Sequence, residues 1–259
     1  MQAVGIEALK QVMQQLRDKQ HGCPWDLKQT FESLLPYTIE ETYEVVDAIN
    51  GGDRAAMKDE LGDLLFQVVF YAQLGEEEGS FDFEAIAQHT ADKLIRRHPH
   101  VFEQTDGALS DAEIKQQWEA IKQQERKSQQ AETVFKDIPS QLPSVLKAAK
   151  LQKRAASVGF DWTEEEPIYA KVYEEIDEVR TAENDDHLEE EIGDLLFAVI
   201  NLARHKQVNP ERALQRANNK FVQRFQAIEA MLSARKQAAD ELSLDQLEAL
   251  WQEVKSAQK

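Results

Sequence analysis

The sequence predicts an all-helical protein built from two tandem copies of one domain. Three observations lead there. Helix breakers are scarce, with 10 Gly and 7 Pro in 259 residues. Apolar residues recur at three- and four-residue spacing in segment after segment, which marks the buried face of a helix. A set of charged and aromatic motifs also occurs twice, at offsets that drift by only a few residues.

The elements follow in order. Ile6, Leu9, Val12, Met13 and Leu16 predict an amphipathic helix over 5–18. His21-Gly22-Cys23-Pro24-Trp25-Asp26 breaks it. Thr38, with Glu41 three residues on, reads as a capping box opening a helix over 39–49, which Asn50-Gly51-Gly52 stops. A long helix is expected over 53–78 and another over 82–97, ending before His98-Pro99-His100. Ser110 and Glu113 predict a further capped helix through Trp118. The polar stretch before Pro139 and Pro143 lacks a sustained apolar period and reads as a linker. This divides the chain into domains over 1–125 and 143–259 with a linker over 126–142. Helices are then expected over 143–157, 164–183, 186–206, 210–235 and 243–257, with Pro210 at a helix start, where its missing N–H costs nothing.

Composition excludes several classes. A net charge of -18 argues against broad binding to nucleic-acid polymers, which needs a basic surface. The apolar runs Leu64–Leu74 and Leu195–Ala203 are too short to span a bilayer, so no membrane partner is expected. The N-terminal segment lacks the basic-then-apolar pattern of a signal peptide. Cys23 is the only cysteine, which fits a reducing compartment. A soluble, cytoplasmic protein is the expectation.

The chemistry lies in acidic residues set against apolar runs. Glu175 and Glu178 are three apart and share a helix face, as do Glu191 and Asp194. Glu41, Glu44, Glu60 and Asp63 repeat the pattern in the first half. If the two helices of each half pack antiparallel, four carboxylates converge on one point. Burying such charge without compensation is costly. Oxygen donors without Cys or His suit a hard cation, Mg²⁺ or Mn²⁺. A lone pair of this kind is usually a solvated acidic face, but recurrence on a second helix and in both halves argues against that. Basic residues near a carboxylate-held cation point to phosphate chemistry. Lys220 and Arg224, one helical turn apart, can neutralise phosphate oxygens, and Lys93 and Arg97 match them in the first half. Trp251, matched by Trp118, can stack on a base or simply fill a core. No Gly-rich phosphate loop is present.

These motifs resemble the all-α nucleoside triphosphate pyrophosphohydrolases of the MazG type. The resemblance rests on EExxE followed after 12 or 15 residues by ExxD, on Gly22-Cys23-Pro24-Trp25-Asp26, on the ExGDLLF segments and on Arg97-His98-Pro99-His100-Val101-Phe102. It covers nearly the whole chain. It implies hydrolysis of an NTP or dNTP to NMP and diphosphate, by water attack on the α-phosphorus, with Mg²⁺ bound. It also implies a homodimer that completes four-helix-bundle cores. Carried over by motif, Glu175, Glu178, Glu191 and Asp194 become metal ligands. Lys171, Lys220 and Arg224 become triphosphate contacts, Trp251 lies near the base, and Glu174 orients or deprotonates the water. The first half keeps its acids, Lys93, Arg97 and Trp118, but has Tyr37 where the second has Lys171. The second site is therefore expected to carry most of the turnover. His187 departs from the Lys of the family pattern at the start of the metal helix.

Two other classes compete. A di-metal carboxylate oxidoreductase would want Glu-x-x-His pairs, and here the fourth residue is Asp63 or Asp194. A non-catalytic helical module could instead use the acidic clusters to hold a basic partner.

Overall fold

A computed structural model describes residues 3–103, 109–128 and 133–257. Among them every regular element is helical, and no helix is long and apolar enough to cross a membrane. The chain forms two compact units, Met1–Lys127 and Ser128–Lys259.

In the first unit, α1 (Ile6–Leu16), α2 (Phe31–Gly51), α3 (Arg54–Glu78), α4 (Phe83–Arg97), the short α5 (Pro99–Phe102) and α6 (Asp111–Ser128) follow in order. The α2–α3 hairpin is the centre, with α1 and α4 laid against α3. Asp53 and Asp82 cap the N-termini of α3 and α4, each accepting from backbone N–H groups of the first turn. Gly52 and Gly79 close α2 and α3 at φ 74° and 77°, the left-handed conformation that glycine adopts most cheaply. Ser110 and Glu113 form the expected reciprocal pair ahead of α6. Met13, Leu34, Val69, Phe70 and Leu74 make the core.

One start is corrected. The capping box is not Thr38 with Glu41 but Thr30 with Ser33, and α2 begins at Phe31. Pro36 stands inside the helix, where it removes one backbone bond without ending the element. Thr38 sits within the helix and donates its hydroxyl to the Leu34 carbonyl while meeting the Tyr71 hydroxyl at 2.9 Å.

In the second unit the order is α7 (Ser144–Ala156), α8 (Glu166–Thr181), α9 (Asp185–His205), α10 (Pro210–Ala234) and α11 (Leu244–Ala257). Here α8 and α9 form the central hairpin, α7 packs on α9, α10 touches α7 and α9, and α11 packs on α10. A buried cluster lies between α10 and α11, from Ile228, Leu232, Leu250 and Val254. Of the expected linker, residues 129–132 lie outside the described residues.

Candidate metal and nucleotide site

The α8–α9 hairpin explains how three acids from two separate sequence segments, Glu175, Glu178 and Glu191, become neighbours. Glu175 and Glu178 are one turn apart on α8, and Glu191 enters from the second turn of α9. One carboxylate oxygen from each of the three lies within 4.8 Å of the others. Asp194 is not one of these three; it stands in the wall of the adjoining cavity together with Glu175. In the first unit, Glu41 of α2 gathers with Glu60 and Asp63 of α3 in the same way, and Glu44 is outside that trio.

Glu175 is 3% exposed, and its Oε2 is buried without a hydrogen-bond partner. A buried carboxylate oxygen left unsatisfied is expensive. An oxygen-only trio with one orphaned atom fits a hard divalent cation. The electrostatics agree. Burial, then the charges of Glu191 and Glu175, push the Glu178 carboxyl above its usual range. Burial, then Asp63 and Glu44, do the same to Glu41, and burial, then Glu44 and Asp63, to Glu60.

The second trio has two cationic or donor neighbours. Lys171 sits one turn before Glu175 and places Nζ 2.6 Å from Glu175 Oε1 and 2.9 Å from Glu174 Oε1. Hydrogen bonds to Glu175 and then Glu174 raise its pKa. Glu174, expected to serve the water, thus carries the Lys171 ammonium in this state. His187 accepts at Nδ1 from the Glu183 N–H and so presents Nε2–H to Glu191, 2.9 Å away. The departure from lysine at this position thus holds a candidate metal ligand. In the first unit Tyr37 packs edge-on against Trp25 instead, with ring centres 5.7 Å apart.

A cavity of about 730 Å³ opens beside the second trio. Phe135, Phe160, Trp162, Ile168 and Phe197 supply its apolar wall. Gln152, Lys171, Glu175, Asp194, Asn201 and Arg204 supply the polar part. Arg204 holds Asp161 bidentately at 2.9 and 2.5 Å, and this pairing lowers the Asp161 pKa. Sequence reading missed Gln152, Phe135 and Asn201. The one sequence signal for this loop is that Trp162 repeats Trp25 of the first half at about the offset of the other repeated motifs.

Lys220, Arg224 and Trp251 are not in the cavity wall. The Arg224 guanidinium lies 5.6 Å from the centre of the Trp251 ring, and Phe221 packs on the same ring at 5.2 Å. In the first unit Arg97 is held by Glu125 at 2.7 Å, Lys122 lies over Trp118 at 3.4 Å, and Lys93 is half-buried on α4.

A duplicated helical hairpin with a carboxylate trio in each half is an arrangement that could hold a metal ion twice over. The comparisons assign it further: the chain matches the MazG nucleotide pyrophosphohydrolase domain twice, at residues 29–102 and 163–228, and belongs to that family. It is 51% identical over 255 residues to a nucleoside triphosphate pyrophosphohydrolase of Escherichia coli K12, covering 96% of this chain and 97% of the relative. It is 42% identical over 257 residues to the nucleoside triphosphate pyrophosphohydrolase/pyrophosphatase MazG of Thermotoga maritima, covering 98% of both. A crystal structure of a mazG-related protein from Thermotoga maritima aligns at TM-score 0.39 and 28% identity, over 46% of this chain and 99% of that one.

Proposed function

We propose that this chain is a Mg²⁺-dependent nucleoside triphosphate pyrophosphohydrolase that splits an NTP or dNTP into NMP and diphosphate, mainly in its second half. The observation that carries the reading is the orphaned, buried Oε2 of Glu175 within the Glu175–Glu178–Glu191 trio, at the mouth of a cavity large enough for a nucleoside. The names of the relatives support the same reaction. Glu175, Glu178 and Glu191 would hold the cation, with Asp194 completing the set from the cavity side; Glu41, Glu44, Glu60 and Asp63 would do so in the first half. A bound divalent cation supplies charge that neutralises phosphate oxygens and polarises the α-phosphorus.

The protein's own groups do the rest. Lys171, already paired with two carboxylates, turns to a phosphate oxygen when the substrate's charge arrives. That leaves the Glu174 carboxylate to orient the attacking water and take its proton. Lys220 and Arg224 add cationic charge for the diphosphate that leaves, and Trp251 steadies the Arg224 guanidinium. The first half lacks a cation at Tyr37 and is the weaker or regulatory site. Leu196 and Val199 are exposed on α9 and Phe221 and Phe225 on α10, apolar surface that a second copy could cover, so a homodimer is proposed, checked by light scattering. The nucleotide substrate and the lone cysteine fit a cytoplasmic setting.

Product identification tests the reaction. NMP plus diphosphate is the expected result from a panel of NTPs and dNTPs with Mg²⁺. NDP plus phosphate would reject attack at the α-phosphorus, and no product at all would favour a non-catalytic module.

A further inference from the structure

We infer that His187 sets the cation preference of the second half: by holding one oxygen of Glu191 it leaves that carboxylate a single free oxygen for metal, which favours a small octahedral ion, Mg²⁺ or Mn²⁺, over Ca²⁺. The inference rests on the proposed cation site and adds the ion that site disfavours and the positioning residue responsible.

The start of α9 fixes the imidazole. Asn184 caps the helix, and its side-chain oxygen accepts from the His187 N–H at 3.0 Å, so His187 is the third helical residue. In return His187 Nδ1 accepts from the Glu183 N–H at 3.3 Å. A ring nitrogen that accepts carries no proton, so the proton of the neutral imidazole sits on Nε2. Nε2 lies 2.9 Å from Glu191 Oε1, one turn further on, and donates to it. Glu191 is 13% exposed, so water competes little for this bond. The helix start thus dictates the tautomer, and the tautomer dictates which Glu191 oxygen is taken. The first half supplies the contrast. Asp53 caps α3 as Asn184 caps α9, and the third helical residue there is Ala56, again one turn before an acid of the trio, Glu60. A methyl group donates nothing, so no donor at that position restrains Glu60.

A carboxylate binds a divalent cation through one oxygen or chelates it through both. Ca²⁺ takes about six to eight oxygens in flexible geometry and readily uses chelating carboxylates, whereas Mg²⁺ demands an octahedron and keeps several of its waters. An oxygen that already accepts an N–H has committed a lone pair and part of its charge. Chelation through Glu191 therefore sacrifices the His187 bond, while binding through the other oxygen leaves it intact. Partners of this kind, outside the ligand set, orient the ligands and tune the metal. Lys171 holds Glu175 Oε1 in the same way at 2.6 Å. That ammonium is the one that turns to phosphate, so His187 is the constraint that persists through turnover.

The test measures affinities for Mg²⁺ and Ca²⁺ on the full chain without nucleotide, from the release of bound Mn²⁺ followed by electron paramagnetic resonance. It is run at about pH 8, where an ordinary histidine is neutral. Each site is read alone, the second in a Glu41→Gln background and the first in a Glu175→Gln background. The second site should favour Mg²⁺ over Ca²⁺ by about tenfold more than the first, the lower end of what such outer partners are worth. His187→Ala should remove the excess by tightening Ca²⁺ relative to Mg²⁺. His187→Gln, whose amide N–H replaces the imidazole donor, should keep it. Ala56→His should confer it on the first site. An unchanged ratio in His187→Ala overturns the inference. So does an equal loss of affinity for both ions, which is what a merely structural role at the helix start would give. If His187→Ala fails to fold, Ala56→His decides alone, and an unchanged ratio there overturns the inference. Absence of Mn²⁺ binding in the Glu41→Gln background would instead overturn the cation site on which the inference rests.

Discussion

The two halves share a hairpin, a carboxylate trio and a flanking helix, yet the corner beside the trio is packed in one and hollow in the other. The helices align without a gap from Glu60 to Leu74 and from Glu191 to His205. Along the inward face the first half places Gln67, Phe70 and Leu74, and all three are buried. The second half has Ala198, Asn201 and His205 there. Phe70, 1% exposed, joins the core with Met13 and Leu34. Asn201 and Ala198 instead border the 730 Å³ cavity. Empty volume in a core costs stability, so a hollow kept beside Glu175 and Lys171 is best understood as room for a ligand. The first half spent the same positions on packing. The lesson is that the acidic pattern was duplicated whole, while the space and the Lys171 cation beside it differ.

The largest expected effect separates the trios. Glu175→Gln should lower diphosphate release by about 10³-fold, in line with the loss of a charged group that orders the reacting centre. Glu41→Gln should leave most of the turnover. The reverse outcome would assign catalysis to the first half.

The packing contrast can be exchanged. Phe70→Asn should destabilise the first unit by about 3–5 kcal/mol, as large-to-small changes in a filled core do. Denaturant unfolding followed unit by unit would read this. Asn201→Phe, the converse change, should cost far less stability and yet cut kcat/KM by about tenfold or more by occupying the cavity. If Asn201→Phe leaves kinetics untouched, the hollow is a packing defect and not a subsite.

The cation difference is smaller. Lys171→Tyr gives the second half the residue of the first. It should reduce kcat/KM by about 10- to 100-fold, the usual worth of one charge-assisted contact to phosphate. It should also leave Glu175 and Glu174 without their shared ammonium.

Much of this was legible from the residues alone. Periodicity and turn signals placed ten of the helices, and the Ser110 cap acts locally, so its signal survives folding. The start of α2 was misplaced because Pro36 normally signals a boundary, and here the hairpin packing against α3 carries the helix through it. The trios were readable because three-residue spacing fixes a helical face. That only three of each four acids gather could not be read, because it depends on how far α8 and α9 are rotated about their axes. Gln152 stayed hidden for a related reason. Between Lys150 and Arg154 it looks like part of a solvated helix face, and only the packing of α7 on α9 turns it inward.

The smallest effect concerns charge in the first trio. Burial and the neighbouring acids raise the Glu41 carboxyl above its ordinary 4.5, so the fold favours the protonated form. The folded state then binds more protons than the unfolded chain between that ordinary value and the raised one. Metal-free protein therefore loses stability as pH rises through this window and keeps the loss at neutral pH. Below pH 4 the penalty is absent. Glu41→Gln removes it, so in chelator the variant should melt higher than wild type at pH 7, by on the order of 1–3 °C, and level with it at pH 4. Added Mg²⁺ should stabilise the first unit of the wild type and not that of the variant, because the cation offsets the same repulsion the substitution deletes. The second trio already has Lys171 and His187 beside it, so Glu175→Gln should show no such gain in chelator: there the substitution weakens a pair with Lys171 instead of relieving repulsion. Equal melting shifts for the two variants would mean that the trios are electrostatically alike and that the Tyr37 and Lys171 difference does not set them apart.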